Sequence, residues 1–135
     1  MIAYKGTSDE NFKVDESKMS RYGFAALFFS VDKHLARLYA DYEAKKDGRD
    51  DGGFLFEFDL SDNMHYHDFN DLSYSKEYVD LIHQLYDEGH KQVLIQNVID
   101  YPTQEYSRFV YTDLVVVFDF GNINSYKLIE SNVNF

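Results

Sequence analysis

Phe54-Leu55-Phe56-Glu57-Phe58-Asp59-Leu60 is the stretch from which the fold is read. Phe54, Phe56, Phe58 and Leu60 alternate with Leu55, Glu57 and Asp59, which is the period of a strand with one buried face. The turn before it, Asp47-Gly48-Arg49-Asp50-Asp51-Gly52-Gly53, stops any helix that precedes it. That helix is expected to start at Ser30 as N-cap, with Asp32 in its first turn and Lys45 and Lys46 in its last. Leu35, Leu38, Tyr39 and Tyr42 share one face of it. Further upstream, residues 2–5 read as a short strand ending at Gly6, residues 7–21 as a polar loop, and Phe24 to Phe29 as a buried strand or turn.

Downstream, residues 61–74 read as a loop. Ser75 is placed to cap a second helix with Tyr78, Leu81, Ile82 and Leu85 as its apolar stripe and Gly89 as its terminator. Strands are expected at Gln92 to Val98, within Phe109 to Phe120, and over residues 125–130, with a polar loop from Asp100 to Arg108. The order β–β–α–β–α–β–β–β defines one α+β domain over residues 1–135.

Composition narrows the function. The chain has 135 residues, 13 basic and 24 acidic, for a net charge of −11. Phosphate binding needs clustered Lys and Arg, so nonspecific binding to nucleic acid or an anionic membrane is not expected. The apolar runs, Phe24 to Phe29 and Leu114 to Phe118, are far short of the ~20 residues that span a bilayer. No signal peptide is visible at Met1 to Gly6. The absence of cysteine removes disulfides, thiolate metal sites and a cysteine nucleophile, and fits a cytoplasmic setting. Twelve Phe and twelve Tyr set the chain apart from disordered acidic tails.

Four constellations could carry chemistry. Tyr4-Lys5-Gly6-Thr7 places a cation and a glycine at a strand end, where a phosphate or ribose hydroxyl could be held; a strand running into a turn is the plainer reading. Phe28-Phe29-Ser30, followed by Tyr39, places a hydroxyl and flat rings at a helix start. Asp100, Glu105 and Asp113 supply carboxylates around the last long loop, one of which could stabilise a developing cation. His65 and His67 alternate as metal ligands on a strand would, but spacing fixes no third ligand, so no metal is expected.

Taken in order, these pieces add to one another. Tyr4-Lys5-Gly6-Thr7-Ser8 is followed by Tyr22-Gly23-Phe24-Ala25-Ala26-Leu27-Phe28-Phe29-Ser30, then Ala36 and Tyr39-Ala40, then the late run Val115-Val116-Val117-Phe118-Asp119-Phe120-Gly121-Asn122-Ile123. The sequence resembles the ADP-ribosyltransferase superfamily, especially the small domains of bacteria, phages and mobile elements. The resemblance implies an ADP-ribosyltransferase-like split β-sandwich flanked by helices, with NAD as substrate in the cleft. It implies transfer of ADP-ribose to a macromolecular target, with a protein as partner, and an effector role against host defence. Lys5 then stands where the family has His or Arg, followed by Gly6 and Thr7; Phe29 and Ser30 match the second motif and Tyr39 the helical tyrosine. These six are the implied cofactor-binding residues. The acid, usually Glu, has three candidates: Asp100, which follows Asn97 at a family-like spacing, Glu105 and Asp113. The alternative is a catalytically degenerate domain of the same fold acting as an acidic inhibitor.

Overall fold

The computed structural model describes residues 1–73, 76–100 and 110–135. The elements run β1 (Ile2–Thr7), β2 (Leu27–Ser30), α1 (Lys33–Lys46), β3 (Gly53–Leu60), β4 (His65–Ser73), α2 (Lys76–Asp87), β5 (Gln92–Asp100), β6 (Val110–Val117) and β7 (Ile123–Val133). Among the described residues the architecture is α+β, with seven strands in one mixed sheet ordered β4-β5-β6-β2-β1-β3-β7. Only β4 and β5 run parallel; the other neighbours are antiparallel.

The sheet is pinched in the middle. β1 pairs with β3 over six residues and β2 with β6 over four, whereas β1 and β2 meet only at Tyr4 opposite Ser30. Two limbs, β4-β5-β6-β2 and β1-β3-β7, therefore join through a single register pair. One face of the sheet carries Phe29, Phe54, Phe56, Phe58, Leu60, Leu94, Val115 and Val117. Its cover comes from irregular chain: Phe12, Val14, Val31 and Met64 lie against it. Phe12 sits 5.7 Å from the Phe56 ring, and Tyr126 stacks on Phe58 at 4.9 Å. The segment expected as a plain polar loop after β1 is thus part of the core's roof.

The helices cover the other face. Leu35 and Leu38 of α1 join Tyr78, Leu81, Ile82 and Leu85 of α2 over Val93, Ile95, Leu114 and Val116. The expected α2 stripe is buried as a unit, and Gly89 (φ +82°) takes the left-handed conformation that ends the helix. Ala36 and Ala40 of α1 lie against Leu55 and Val133. Here helix and sheet touch backbone to backbone. A Cβ on Gly6 would stand 2.0 Å from the Ala36 carbonyl oxygen and 2.4 Å from the Ala40 nitrogen. A Cβ on Gly53 would stand 2.1 Å from the Ala40 carbonyl oxygen.

Several expectations change. Ser30 closes β2 instead of capping the helix; the N-cap is Asp32, whose Oδ1 accepts the Leu35 N–H at 3.1 Å. Ser30 Oγ instead accepts the Asp32 N–H at 3.0 Å and donates to the Asp32 carbonyl at 2.7 Å, turning the chain into α1. Residues 65–73, expected as loop, form β4. Leu55 is as buried as the phenylalanines, because α1 covers the second face of β3. The last two strands are found, and β7 extends well past residues 125–130. Ser75 lies outside the described residues.

Two stability predictions follow from this core. Gly6→Ala should destabilise the protein by about 3 kcal/mol or more, since backbone and not a flexible side chain must give way. Gly23→Ala, at φ +89° with open space around it, should cost only about 1–2 kcal/mol. Urea unfolding midpoints at unchanged slope separate the two, and equal losses would show that α1 does not lie on Gly6. Phe56→Ala should cost about 3–5 kcal/mol by the same measurement; a loss under about 1 kcal/mol would mean that the β3 register is wrong.

Candidate functional site

A cavity of about 500 Å³ opens where β1 and β2 stop pairing. Its floor is the diverging strands: Tyr4, Lys5, Gly6 and Thr7 from β1, and Phe28, Phe29 and Ser30 from β2. One wall is α1, through Ala36, Tyr39, Glu43 and Lys46. The other is built from Ser20, Arg21 and Tyr22 of the irregular segment, Tyr78 of α2, Val98 and Asp100 of β5, and Leu114 of β6. The helix position follows from the glycine contacts: with Ala36 and Ala40 seated on β1 and β3, Tyr39 and Glu43 fall on the side toward the gap.

Seven residues singled out in the sequence meet here: Lys5, Gly6, Thr7, Phe29, Ser30, Tyr39 and Asp100. Two others do not. Asp113 is on β6 outside the cavity; its Oδ1 accepts the Asn97 N–H at 3.1 Å, holding an irregularity between β5 and β6. Glu105 lies outside the described residues. Two of the seven also have roles other than those expected. What approaches the backbone of Gly6 is α1, so its lack of a side chain serves packing. The Ser30 hydroxyl is engaged with Asp32.

Asp100 and Tyr39 form the polar centre of the site. The Tyr39 hydroxyl donates to Asp100 Oδ1 at 2.9 Å. Burial first, and then the Asp100 charge and this hydrogen bond, hold the Tyr39 phenol far above the usual tyrosine range. Tyr39 is therefore a permanent donor, and it fixes the carboxylate's orientation. Lys5 behaves oppositely. Desolvation lowers its ammonium below the usual lysine range, against a smaller upward pull from Glu43. Its Nζ donates to the Phe28 carbonyl at 3.3 Å.

Sequence reading missed Arg21, Glu43, Lys46 and Tyr78. Arg21 donates to the Tyr22 hydroxyl at 3.3 Å and lies over its ring at 5.2 Å. Lys46 is 3.9 Å from Glu43. Among the described residues, Lys5, Arg21 and Lys46 line the cavity together with Glu43 and Asp100, so basic side chains gather here in a chain of net charge −11. Aromatic walls with a cationic lining suit a flat, anionic ligand.

His65 stacks on His90 at 4.0 Å, and His90 Nε2 is 3.2 Å from Glu88. Among the described residues no three His, Asp or Glu side chains are grouped to hold a metal ion. None of the described helices is long and apolar enough to cross a membrane. No protein-family model matches the chain, and neither does any curated protein or solved structure.

The Tyr39 phenol gives a pH prediction. Unfolded tyrosine ionises near pH 10, while folded Tyr39 keeps its proton, so stability falls as pH rises above about 10. Tyr39→Phe removes this contribution, and its unfolding free energy should decline less steeply than wild type between about pH 9.5 and 11. Parallel slopes for the two proteins would show that Tyr39 titrates normally.

Proposed function

We propose that the cavity binds NAD and that the protein is an ADP-ribosyltransferase-like enzyme acting on a macromolecular target. The observation that carries this reading is the meeting of Lys5, Thr7, Phe29, Tyr39 and Asp100 at one gap in the sheet. They are scattered over almost a hundred positions of sequence, and the resemblance implies four of them as cofactor-binding residues and Asp100 as one of three candidate acids. The cavity's size is within the ~300–1,000 Å³ usual for small-molecule sites. Its pinched sheet with helices on one face is compatible with the split-sandwich arrangement of that family.

In this reading Asp100 is the acid. Breaking the bond between nicotinamide and ribose builds positive charge on the sugar. A carboxylate at hydrogen-bond distance from a ribose hydroxyl stabilises that charge in a site from which water is displaced. Tyr39 keeps the carboxylate in one orientation, and a strand end holds it more rigidly than a loop. Arg21 and Lys46 supply charge for the diphosphate. Nicotinamide leaves, the acceptor takes the ADP-ribosyl group, and the acceptor's proton is released.

A second reading has its own support. Beyond the cavity's three cations and two carboxylates, the chain keeps ten basic and twenty-two acidic residues (13 − 3 and 24 − 2). A compact surface of that sign fits a basic partner, so a domain that binds without turnover would act as an acidic inhibitor.

The experiment is NAD binding and turnover by the purified protein. Millimolar NAD should raise the thermal midpoint, because a ligand of the folded state alone stabilises it. Asp100→Asn should lower nicotinamide release by about 10²-fold or more while keeping the fold and the NAD-induced shift. Shift without release favours the inert domain. Neither shift nor release removes NAD and leaves the acidic-inhibitor reading.

A further inference from the structure

Lys5 has a chemistry that nucleotide binding does not use. It lines the cavity, yet no carboxylate among the described residues stands at ion-pair distance from it. Among the described residues its hydrogen-bond partner is the Phe28 carbonyl, at 3.3 Å. Its Nζ lies 5.9 Å from the centroid of the Phe29 ring and 6.0 Å from that of Phe12. Two rings and a carbonyl replace water around the ammonium, and the Glu43 charge that reaches it does so from beyond ion-pair distance and does not offset the desolvation. Desolvation in such a place favours the neutral amine, and that is how a lysine becomes a nucleophile. Two further cations, Arg21 and Lys46, line the same cavity and suit a carboxylate or phosphate.

We propose that Lys5 is a nucleophilic amine that condenses with a small aldehyde or ketone bearing a carboxylate or phosphate. The Nζ lone pair attacks the carbonyl carbon and forms a C–N bond. Both amine hydrogens leave with the carbonyl oxygen as water, and an imine remains. No oxidant or reductant is consumed. The inference goes beyond the nucleotide reading and does not need it, because any anionic carbonyl compound that fits the cavity meets the requirement.

Pyridoxal 5′-phosphate is the probe, an aldehyde carrying a phosphate. The purified chain is incubated with about one equivalent at pH 7, without NAD, then reduced with borohydride and mapped by peptide mass. The expected result is one dominant adduct on Lys5, absent from Lys5→Met at an unchanged thermal midpoint. The Lys5 adduct should also form at lower pH than adducts on the exposed Lys13, Lys33 and Lys127. Lys46→Gln should slow its formation several-fold. Label spread over the exposed lysines, with Lys5 unmodified in the folded protein, would overturn the proposal. The wild-type peptide map decides the matter even if Lys5→Met does not fold. Because NAD is absent from the assay, this result and the fate of the nucleotide reading stay separate.

Discussion

The backbone contact of α1 with β1 and β3 is the constraint on which the site depends. Ala36 and Ala40 present almost no side chain, and Gly6 and Gly53 present none, so the helix sits closer to the strands than any larger residue would permit. That closeness places the next residues of the helix. Tyr39, Glu43 and Lys46 project toward the gap beside β1, where β2 has already turned away after one paired residue. A helix held farther out by larger side chains would leave Tyr39 too distant to donate to Asp100 from across the cavity. Close packing on one side of β1 therefore sets the geometry of the open space on the other.

A second constraint keeps Asp100 at the rim. β5 is irregular between Ile95 and Val98, and Asn97 sits there at φ +60°. Its N–H is bound by Asp113, and its side-chain amide donates to Asp68 Oδ1 at 3.0 Å. Asp68 also accepts the Asn70 N–H at 2.8 Å, and Asn70 is itself at φ +54° where β4 and β5 slip register. The hydrogen bonds from Asn97 and Asn70 hold the Asp68 carboxyl below its usual range. A short polar ladder thus pins three strands at one level and fixes where β5 delivers its last residues.

How much of this the sequence disclosed depended on periodicity. β3 and α2 were legible because Phe54–Leu60 alternates and Tyr78, Leu81, Ile82 and Leu85 recur at helical spacing. β4 was not, because His65-Tyr66-His67-Asp68-Phe69-Asn70 belongs to an edge strand with most of its side chains in solvent, and offers few apolar positions to count. Lys5, Phe29, Tyr39 and Asp100 could be selected because they stand on regular elements in a recognisable order. Arg21 could not, since the irregular segment that carries it has no period, and Lys46 read as an ordinary helix-terminal cation. The place of Asp113 away from the cavity was hidden for a related reason. Its partner is the backbone of a left-handed asparagine, which residue type alone does not reveal.

The pairing of β2 with β6 has a consequence for how the chain assembles. Phe29 lies opposite Val115, so the middle of the sheet is closed by residues far apart in the chain. On that limb β4 with β5 and β5 with β6 pair consecutive strands, whereas β2 must find β6 from across most of the chain. Long loops must close before β2 gains its second neighbour, and the entropy of that closure comes before the contacts that offset it. Folding in milliseconds to seconds is the regime such a topology sets, with the Leu94 and Val115 face uncovered in the interval. During synthesis the aromatic N-terminal third must wait for late-made strands. In that window, before any cavity exists, the surface most open to aggregation is the sheet face that the Phe12 segment later roofs.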